Sequence, residues 1–197
     1  MTDWIASVDD LLDHHAADDP VVIESILRAY HNSIHRLALS ILEDAAEAED
    51  AVQETFIQAA LNLDRYRTGT NFRAWLYTIA LNICRGTLRK REVRQRLQSL
   101  LSNLPQSIWP LSYPEEQLIE AEAHVQLRFA LQKLDEKHRL PVLLRFVHDL
   151  PIVEIAQILG VREGTVHSRL HYGIKKLRGY MDMAGAQIAS RQNAGKE

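Results

Sequence analysis

Apolar residues recur every three or four positions along most of this chain, and no stretch alternates apolar and polar residues as a half-buried strand would. Residues 21–42 carry such a stripe, which includes Val22 and Ile26. A second stripe runs through residues 43–63, and a third helix is predicted from about 72 to 96. The pattern therefore predicts an all-α fold.

Three prolines interrupt the helical pattern within SLLSNLPQSIWPLSYP, residues 99–114. Each proline removes a backbone donor and disfavours helix in the residue before it. We therefore expect two small helical domains, at 1–98 and 115–183, joined by a Pro-containing linker and followed by a disordered tail at 184–197. The linker also contains apolar side chains, which either pack on a domain or lie in the groove of a partner; the pattern favours neither.

The second domain ends in a predicted helix-turn-helix. Two helices are predicted at 115–134 and 136–148, and a short third begins at Pro151 and stops at Gly160. A fourth starts near Arg162. Its outward face carries donors that suit phosphates and base edges, although similar helix pairs occur in proteins that bind no DNA. These outward residues are Thr165, Ser168, Arg169, His171, Tyr172, Lys175 and Lys176.

Charge is strongly segregated along the chain, although the formal net charge is only −3. Residues 1–64 hold two basic residues against fourteen acidic ones, whereas residues 65–96 hold nine against one and residues 162–178 hold five against one. Such segregation indicates surfaces that meet partners of different charge; the alternative is an unevenly charged solvated surface.

Aromatic residues precede the larger basic run in NFRAWLYTIALNICRGTLRKR, residues 71–91. Trp75, Ile79 and Ile83 share one helical stripe, and we expect Trp75 to be a core residue, although aromatic rings beside cations also stack unpaired bases. On the preceding helix, an acidic and amide stripe at Glu47, Asp50, Glu54 and Gln58 is either a solvated face or a surface for a positively charged protein groove.

Two segments carry a family resemblance. AEDAVQETFIQAALNLDRYRTGTNFRAWLYTIALNICRGTLRKR resembles region 2 of the bacterial extracytoplasmic-function (ECF) sigma factors, and LPVLLRFVHDLPIVEIAQILGVREGTVHSRLHYGIKKLR resembles their region 4. The resemblance implies a transcription initiation factor that binds the beta and beta-prime subunits of core RNA polymerase and directs them to promoter DNA. It also implies a linker near the RNA exit path and an anti-sigma factor as a partner.

The resemblance implies three groups of site residues. The polymerase-binding group is Glu47, Asp50, Gln53, Glu54 and Phe56, the last of which is alternatively a core residue. The group for recognition and melting of the −10 element is Arg65, Arg67, Asn71, Trp75, Asn82, Arg85, Arg89, Lys90 and Arg91. The −35 group is Arg162, Thr165, His167, Ser168, Arg169, His171, Tyr172, Lys175 and Lys176.

The sequence departs from the family pattern at two places. Leu81 stands where arginine is common, which implies a missing cationic contact near the −10 element. Tyr172, Gly173 and Ile174 stand where Arg-Ala-Arg is common, and His167 replaces a frequent lysine. We therefore expect weak promoter binding by the free protein and dependence on the polymerase.

Other classes of function fit the sequence less well. His31/His35 and His167/His171 have metal-compatible spacing but lack the HExxH glutamate, Cys84 is the only cysteine, and no phosphate loop or nucleophile elbow is present. We expect no enzyme activity, cofactor, metal or membrane insertion, and a cytoplasmic location. The alternative is a sigma mimic that sequesters an anti-sigma factor without using DNA; an ordinary repressor would leave the acidic helix unexplained.

Overall fold

The computed structural model describes residues 7–14, 19–101 and 126–194, and all regular secondary structure in these ranges is helical. This confirms the predicted all-α class. The chain divides into two compact units, one containing the helices before residue 102 and the other most of the residues after 125. The predicted linker beyond residue 101 lies outside the described residues, so the boundaries proposed for the two domains stay predictions.

The first unit consists of four helices and one short 3-10 turn. The helices are α1 (Ser7–His14), α2 (Pro20–Leu42), α3 (Ala45–Leu61) and α4 (Phe72–Leu101), and the 3-10 turn covers Leu63–Arg65. The sequence pattern did not indicate α1, and α4 continues three residues into the predicted linker. The other helices agree with the predicted ranges within a few residues, because long periodic stripes locate helices well and their ends poorly.

Side-chain caps explain where the helices of the first unit begin. The Asp19 carboxylate accepts a hydrogen bond from the Val21 amide at 2.9 Å, ahead of a helix that starts with proline. Asp44 caps α3 in the same way through the Glu47 amide, at 2.9 Å. Between α2 and α3 the chain turns at Glu43, which has a left-handed φ of 58°. The corner between these helices is therefore only two residues long.

Helices α2, α3 and α4 each contact the other two and enclose one apolar core. Burial of these aliphatic side chains is the main stabilising contribution in the unit, at about 1.5–3 kcal/mol for each large residue. The most fully buried large side chains of the three helices are Val22, Ile34, Leu37, Leu42, Val52, Leu76 and Leu81. This core fixes which faces of α3 and α4 reach solvent.

The described residues after 125 contain the predicted helix-turn-helix. Helical residues 126–132 form α5 and are followed by α6 (Glu136–Phe146), α7 (Ile152–Leu159) and α8 (Glu163–Ala194). Gly160 lies between α7 and α8 with a φ of 63°, a conformation that glycine adopts without strain. The described structure continues α8 to Ala194 where a disordered tail from 184 was predicted. Small residues had suggested fraying, but residues 184–194 contain no proline and several alanines, which favour helix.

Candidate functional site

The outer face of α3 presents both acidic and apolar side chains. Asp50 and Glu54 are exposed, and Ile57 and Leu61 follow them on the same helical stripe with 53% and 68% of their surfaces exposed. Gln53 is exposed beside them. We call these five residues the α3 face. The two apolar members were missed from sequence, although their spacing from Asp50 could have indicated them; exposed apolar residues grouped in this way are typical of protein-binding surfaces.

Phe56 lies on the opposite side of α3, in the core. Only 8% of its surface is exposed, and its ring lies parallel to that of His31 with centroids 6.3 Å apart. The alternative left open for Phe56 is therefore decided in favour of the core, because its position on the helix points inward between α3 and α2. Any effect it has on a partner acts through the packing of α3.

Glu47, in the first turn of α3, forms a hydrogen-bonded ion pair with Arg91 of α4. The Nη2 atom of Arg91 also donates a hydrogen bond to the carbonyl oxygen of Leu42, at 3.0 Å, where α2 ends. Both charged side chains are about 30% exposed, at 29% and 32%. Two residues predicted to bind different partners, polymerase and DNA, therefore bind each other in the free chain.

Arg65 and Arg67, from the segment between α3 and α4, are exposed. The Tyr66 hydroxyl donates to the Thr70 carbonyl oxygen at 2.6 Å, which ties the two ends of the turn together. Asn71 caps α4, because its side-chain oxygen accepts from the Ala74 amide at 2.9 Å. The predicted −10 residue Asn71 thus has a structural role as well, and it sets where α4 begins.

Trp75 is half-buried, so the prediction that it is a core residue is only partly correct. Its ring contacts Tyr66 and Phe72 at centroid distances of 5.4 and 5.3 Å. The fully buried side of α4 instead carries Leu76 and Leu81. Trp75, Ile79 and Ile83 share a stripe as predicted, but that stripe faces an open groove rather than the core.

This groove lies between α3 and α4 and has a volume of about 500 Å³. Hydrogen bonds run along its α3 side: Arg65 donates to Asn62 at 3.4 Å, and Gln58 donates to Glu54 at 2.9 Å. The groove brings three predicted −10 residues together and begins at a residue of the α3 face. It is lined by Glu54, Gln58, Asn62, Arg65, Trp75, Ile79, Asn82 and Ile83.

The basic run of α4 continues beyond the groove. Arg89 and Lys90 are exposed and Arg85 is half-buried, so these cations of the predicted −10 group reach solvent to different degrees. Arg91 differs from them because it already donates hydrogen bonds to the Glu47 carboxylate and to the Leu42 carbonyl oxygen. The surface cations immediately before the bonded Arg91 are therefore Arg89 and Lys90.

The outward face of α8 in the second unit agrees with the predicted orientation. Val166, Leu170 and Gly173 are buried. Thr165 and Arg169 are half-exposed, and the other predicted −35 residues are exposed. Those exposed residues are Arg162, His167, Ser168, His171, Tyr172, Lys175 and Lys176. The helix therefore presents a surface of hydroxyl, imidazole and cationic donors.

Lys176 is held from within its own unit by Asp135, at 3.4 Å. Asp135 also accepts from the ring of His138, and this hydrogen bond is the largest cause that lowers the pKa of Asp135 to about 2. Burial opposes this lowering of the pKa and is the second-largest cause, while the nearby Lys176 adds to the lowering to a smaller extent. The carboxylate stays charged through the neutral pH range, and its ion pair with Lys176 connects the segment before α6 to α8.

Elsewhere the described residues offer little reactive chemistry. Burial raises the pKa of the Cys84 thiol to about 12, so the thiolate that would act as a nucleophile is scarce at neutral pH. Within 7–14, 19–101 and 126–194, no three His, Cys, Asp or Glu side chains group as metal ligands. No helix in the described part of the chain has an apolar window long enough to cross a bilayer.

Comparison with known proteins identifies both units. Residues 26–94 match the family model of Sigma-70 region 2, and residues 130–179 match that of Sigma-70 region 4. The ECF RNA polymerase sigma factor SigW of Bacillus subtilis is 30% identical over 166 residues, which cover 81% of this chain and 89% of SigW. The chain belongs to the ECF sigma factors. It is a transcription initiation factor and not an enzyme.

Another curated ECF relative and two solved structures also resemble this chain. SigL of Mycobacterium tuberculosis is 30% identical over 83% of this chain and 90% of its own length. The sigma factor RpoE of Bartonella quintana, solved in complex with the anti-sigma factor NepR, is 26% identical with a TM-score of 0.62 and covers 81% of this chain and 96% of its own. CnrH, solved with the cytosolic domain of CnrY, shares the fold with a TM-score of 0.65 at 20% identity, over 91% of this chain and 96% of its own.

The structure corrects how the departures from the ECF pattern were interpreted. Leu81 is only 1% exposed, so this position faces the core and its leucine removes no cation from the exposed face of α4. Gly173 is buried against α6: a Cβ atom there would lie 3.0 Å from Cγ2 of Val142 and 3.2 Å from the His138 carbonyl oxygen. The departures that change the outward face are Tyr172, which is 56% exposed, and His167, which is also exposed.

Proposed function

We propose that this ECF sigma factor binds the beta and beta-prime subunits of core RNA polymerase and places them on promoters through two separate DNA surfaces. The observation that carries the proposal is the separation of charge among exposed helical faces. The α3 face carries Asp50 and Glu54, whereas α4 and α8 expose cations. Phosphates repel the first surface and attract the other two, so one chain bridges a protein and a nucleic acid.

Polymerase docking is assigned to the α3 face. Its carboxylates suit a basic groove, and its exposed apolar pair at Ile57 and Leu61 supplies surface that gains free energy when water is excluded. Both kinds of contact lie along one stripe of a single rigid helix. This combination favours a protein partner over a purely solvated face.

Recognition and melting of the −10 element are assigned to the groove and to the basic run that follows it. Trp75 has a partly open ring, while Asn82 and Arg65 offer hydrogen-bond donors beside it. Unstacking a base costs a few kcal/mol, which aromatic stacking and polar contacts in such a groove offset. Arg89 and Lys90 then track the phosphates of the separated strands.

Recognition of the −35 element is assigned to the outward face of α8. Arg169 and Ser168 lie near the start of the helix, where side chains of a recognition helix reach base edges. Tyr172 adds an exposed ring that can contact thymine methyl groups. Lys175 contributes a phosphate contact, and Lys176 does so when its contact with Asp135 is exchanged for DNA.

We also propose control by an anti-sigma factor, in the cytoplasm where the polymerase works. RpoE of Bartonella quintana, the structural relative at 26% identity, was solved with such an inhibitor. The α3 face is the surface whose occlusion would block holoenzyme assembly most directly. Recovery of no inhibitory protein with the tagged chain, together with activity that follows expression alone, would argue against this regulation.

Run-off transcription with purified core polymerase tests the main proposal. We expect promoter-specific transcripts from the wild-type chain, and loss of both transcripts and polymerase binding in Asp50→Lys. The matched control Glu24→Lys reverses an exposed carboxylate on α2, outside the α3 face, and should keep both activities. A chain that binds an anti-sigma factor but yields no transcript would instead be a sigma mimic. Normal polymerase affinity in Asp50→Lys would remove the α3 face from the docking surface.

A further inference from the structure

The contact between Arg91 and Glu47 joins two elements that are far apart in sequence, and it does so at a critical corner. One nitrogen of Arg91 donates both to the Glu47 carboxylate and to the Leu42 carbonyl oxygen. The first acceptor lies in the first turn of α3 and the second in the last turn of α2. The guanidinium group therefore spans the two-residue corner between these helices.

The corner has features that need such support. Carbonyl groups in the last turn of a helix lack partners within that helix, and the Arg91 guanidinium satisfies one of them. Glu43, next in the chain, has a φ of 58°, which costs free energy for a residue other than glycine. The Asp44 cap and the Arg91 contacts together hold the chain in this tight turn.

The same contacts orient the proposed docking surface. Glu47, Asp50 and Glu54 follow one another on a single helical stripe, so fixing the first of them fixes the direction in which the other two project. Glu47 itself is less exposed than these two neighbours and has its charge offset by Arg91. Arg91, in turn, directs its Nη2 group at two protein acceptors.

We propose that Arg91 is a positioning residue for polymerase docking, and that it is not one of the phosphate ligands of the basic run. The proposal rests on the assignment of the α3 face to the polymerase. It divides the run on α4 by function: Arg89 and Lys90 face DNA, whereas Arg91 aligns α3 from behind. Glu47 acts with Arg91 in this alignment and contributes little direct contact to the polymerase.

The test measures two quantities on the full chain: its affinity for core polymerase, and the salt dependence of promoter binding by holoenzyme assembled with saturating chain. Arg91→Ala should weaken polymerase binding by about tenfold, equivalent to about 1.4 kcal/mol, and leave the salt slope unchanged. Lys90→Ala should lower the slope by about 0.7–0.9. The neutral control is Arg28→Ala on α2, which removes an arginine whose side chain is 80% exposed and should change neither quantity.

Two further variants separate positioning from general destabilisation. Glu47→Gln keeps the side-chain shape, and it should weaken polymerase binding in the wild-type background while adding nothing to Arg91→Ala. Arg91→Lys should restore part of the affinity, because an ammonium group still donates to both acceptors. Additive effects of the two single changes would overturn the proposal, as would a lowered salt slope with normal polymerase affinity in Arg91→Ala. If the wild-type chain itself failed to bind polymerase, the proposed function would fall first.

Discussion

Gly173 allows α6 and α8 to approach more closely than any other residue would. Replacing it with alanine adds a methyl group 3.0 Å from Cγ2 of Val142, where ordinary carbon contacts lie at about 3.5–4.0 Å. The His138 carbonyl oxygen, at 3.2 Å, belongs to the backbone and cannot rotate away. The two helices must therefore separate by roughly half an ångström to admit the methyl group.

Two opposing effects determine how much Gly173→Ala changes the free energy of unfolding. Alanine is favoured over glycine in a helix by about 1 kcal/mol, whereas overpacking a buried contact costs about 1–3 kcal/mol. Because backbone and a buried side chain both oppose the new methyl group, we expect Gly173→Ala to lower the free energy of unfolding of this unit by about 1 kcal/mol. Gly179→Ala is the matched control: it lies on the same helix with nothing within 4 Å of an added Cβ, and it should stabilise by up to about 1 kcal/mol.

Hydrogen exchange of peptides from α6 and α8, read by mass spectrometry, measures the opening free energy of this unit separately from the first. In a Val142→Ala background, the same glycine replacement should destabilise the unit less than in the wild-type background, because the contact with Cγ2 of Val142 is removed while the His138 carbonyl oxygen still opposes the methyl group. If Gly173→Ala stabilises the unit as much as Gly179→Ala does, the close approach does not limit packing and the reasoning is refuted.

Three other outcomes follow from charge and burial. Replacing both Arg89 and Lys90 with alanine should lower the salt slope of promoter-complex formation by up to about 1.4–1.8, and an unchanged slope would place both off the DNA. The pKa of the Asp135 carboxylate is lowered to about 2, chiefly by the hydrogen bond from His138. The charged carboxylate therefore contributes stability above pH 4 that is lost as pH falls toward 2. In urea unfolding, the free energy of unfolding of Asp135→Asn should decline less across that pH range than that of the wild-type chain. Burial raises the pKa of Cys84 to about 12, so Ellman's reagent should label the thiol at pH 8 only at the rate of unfolding; rapid labelling of the native chain would contradict its burial.

The periodic helices and the outward face of α8 could be predicted from sequence because both depend on local spacing. Residues three and four apart share a face, so Val166 and Leu170 identified the buried side of α8 before any tertiary contact was known. The short α1 was not predicted because eight residues carry little periodic signal. The extension of α8 escaped because small polar residues are compatible with both helix and coil.

The features that local spacing could not predict are those made by distant parts of the chain. Arg91 and Glu47 are 44 positions apart, and each was assigned to a partner because its own neighbours share its charge. Leu81 was compared with an arginine common in the family, but only the packing of α4 shows that this position faces the core. Trp75 was expected in the core because it lies on an apolar helical stripe. The sequence does not show that α3 and α4 leave a groove open beside that stripe.

The expectation that the free protein binds promoters weakly now rests on fewer residues and on a different cause. Leu81 no longer contributes to it, since that side chain never reached the surface. On α8, Tyr172 occupies an exposed position without charge, and Lys176 is engaged by Asp135 in the free chain. Each phosphate contact given up in this way removes part of the counterion release that drives DNA binding. A second DNA surface on the same polymerase-bound chain would offset the deficit, because two linked contacts bind far more tightly than either does separately.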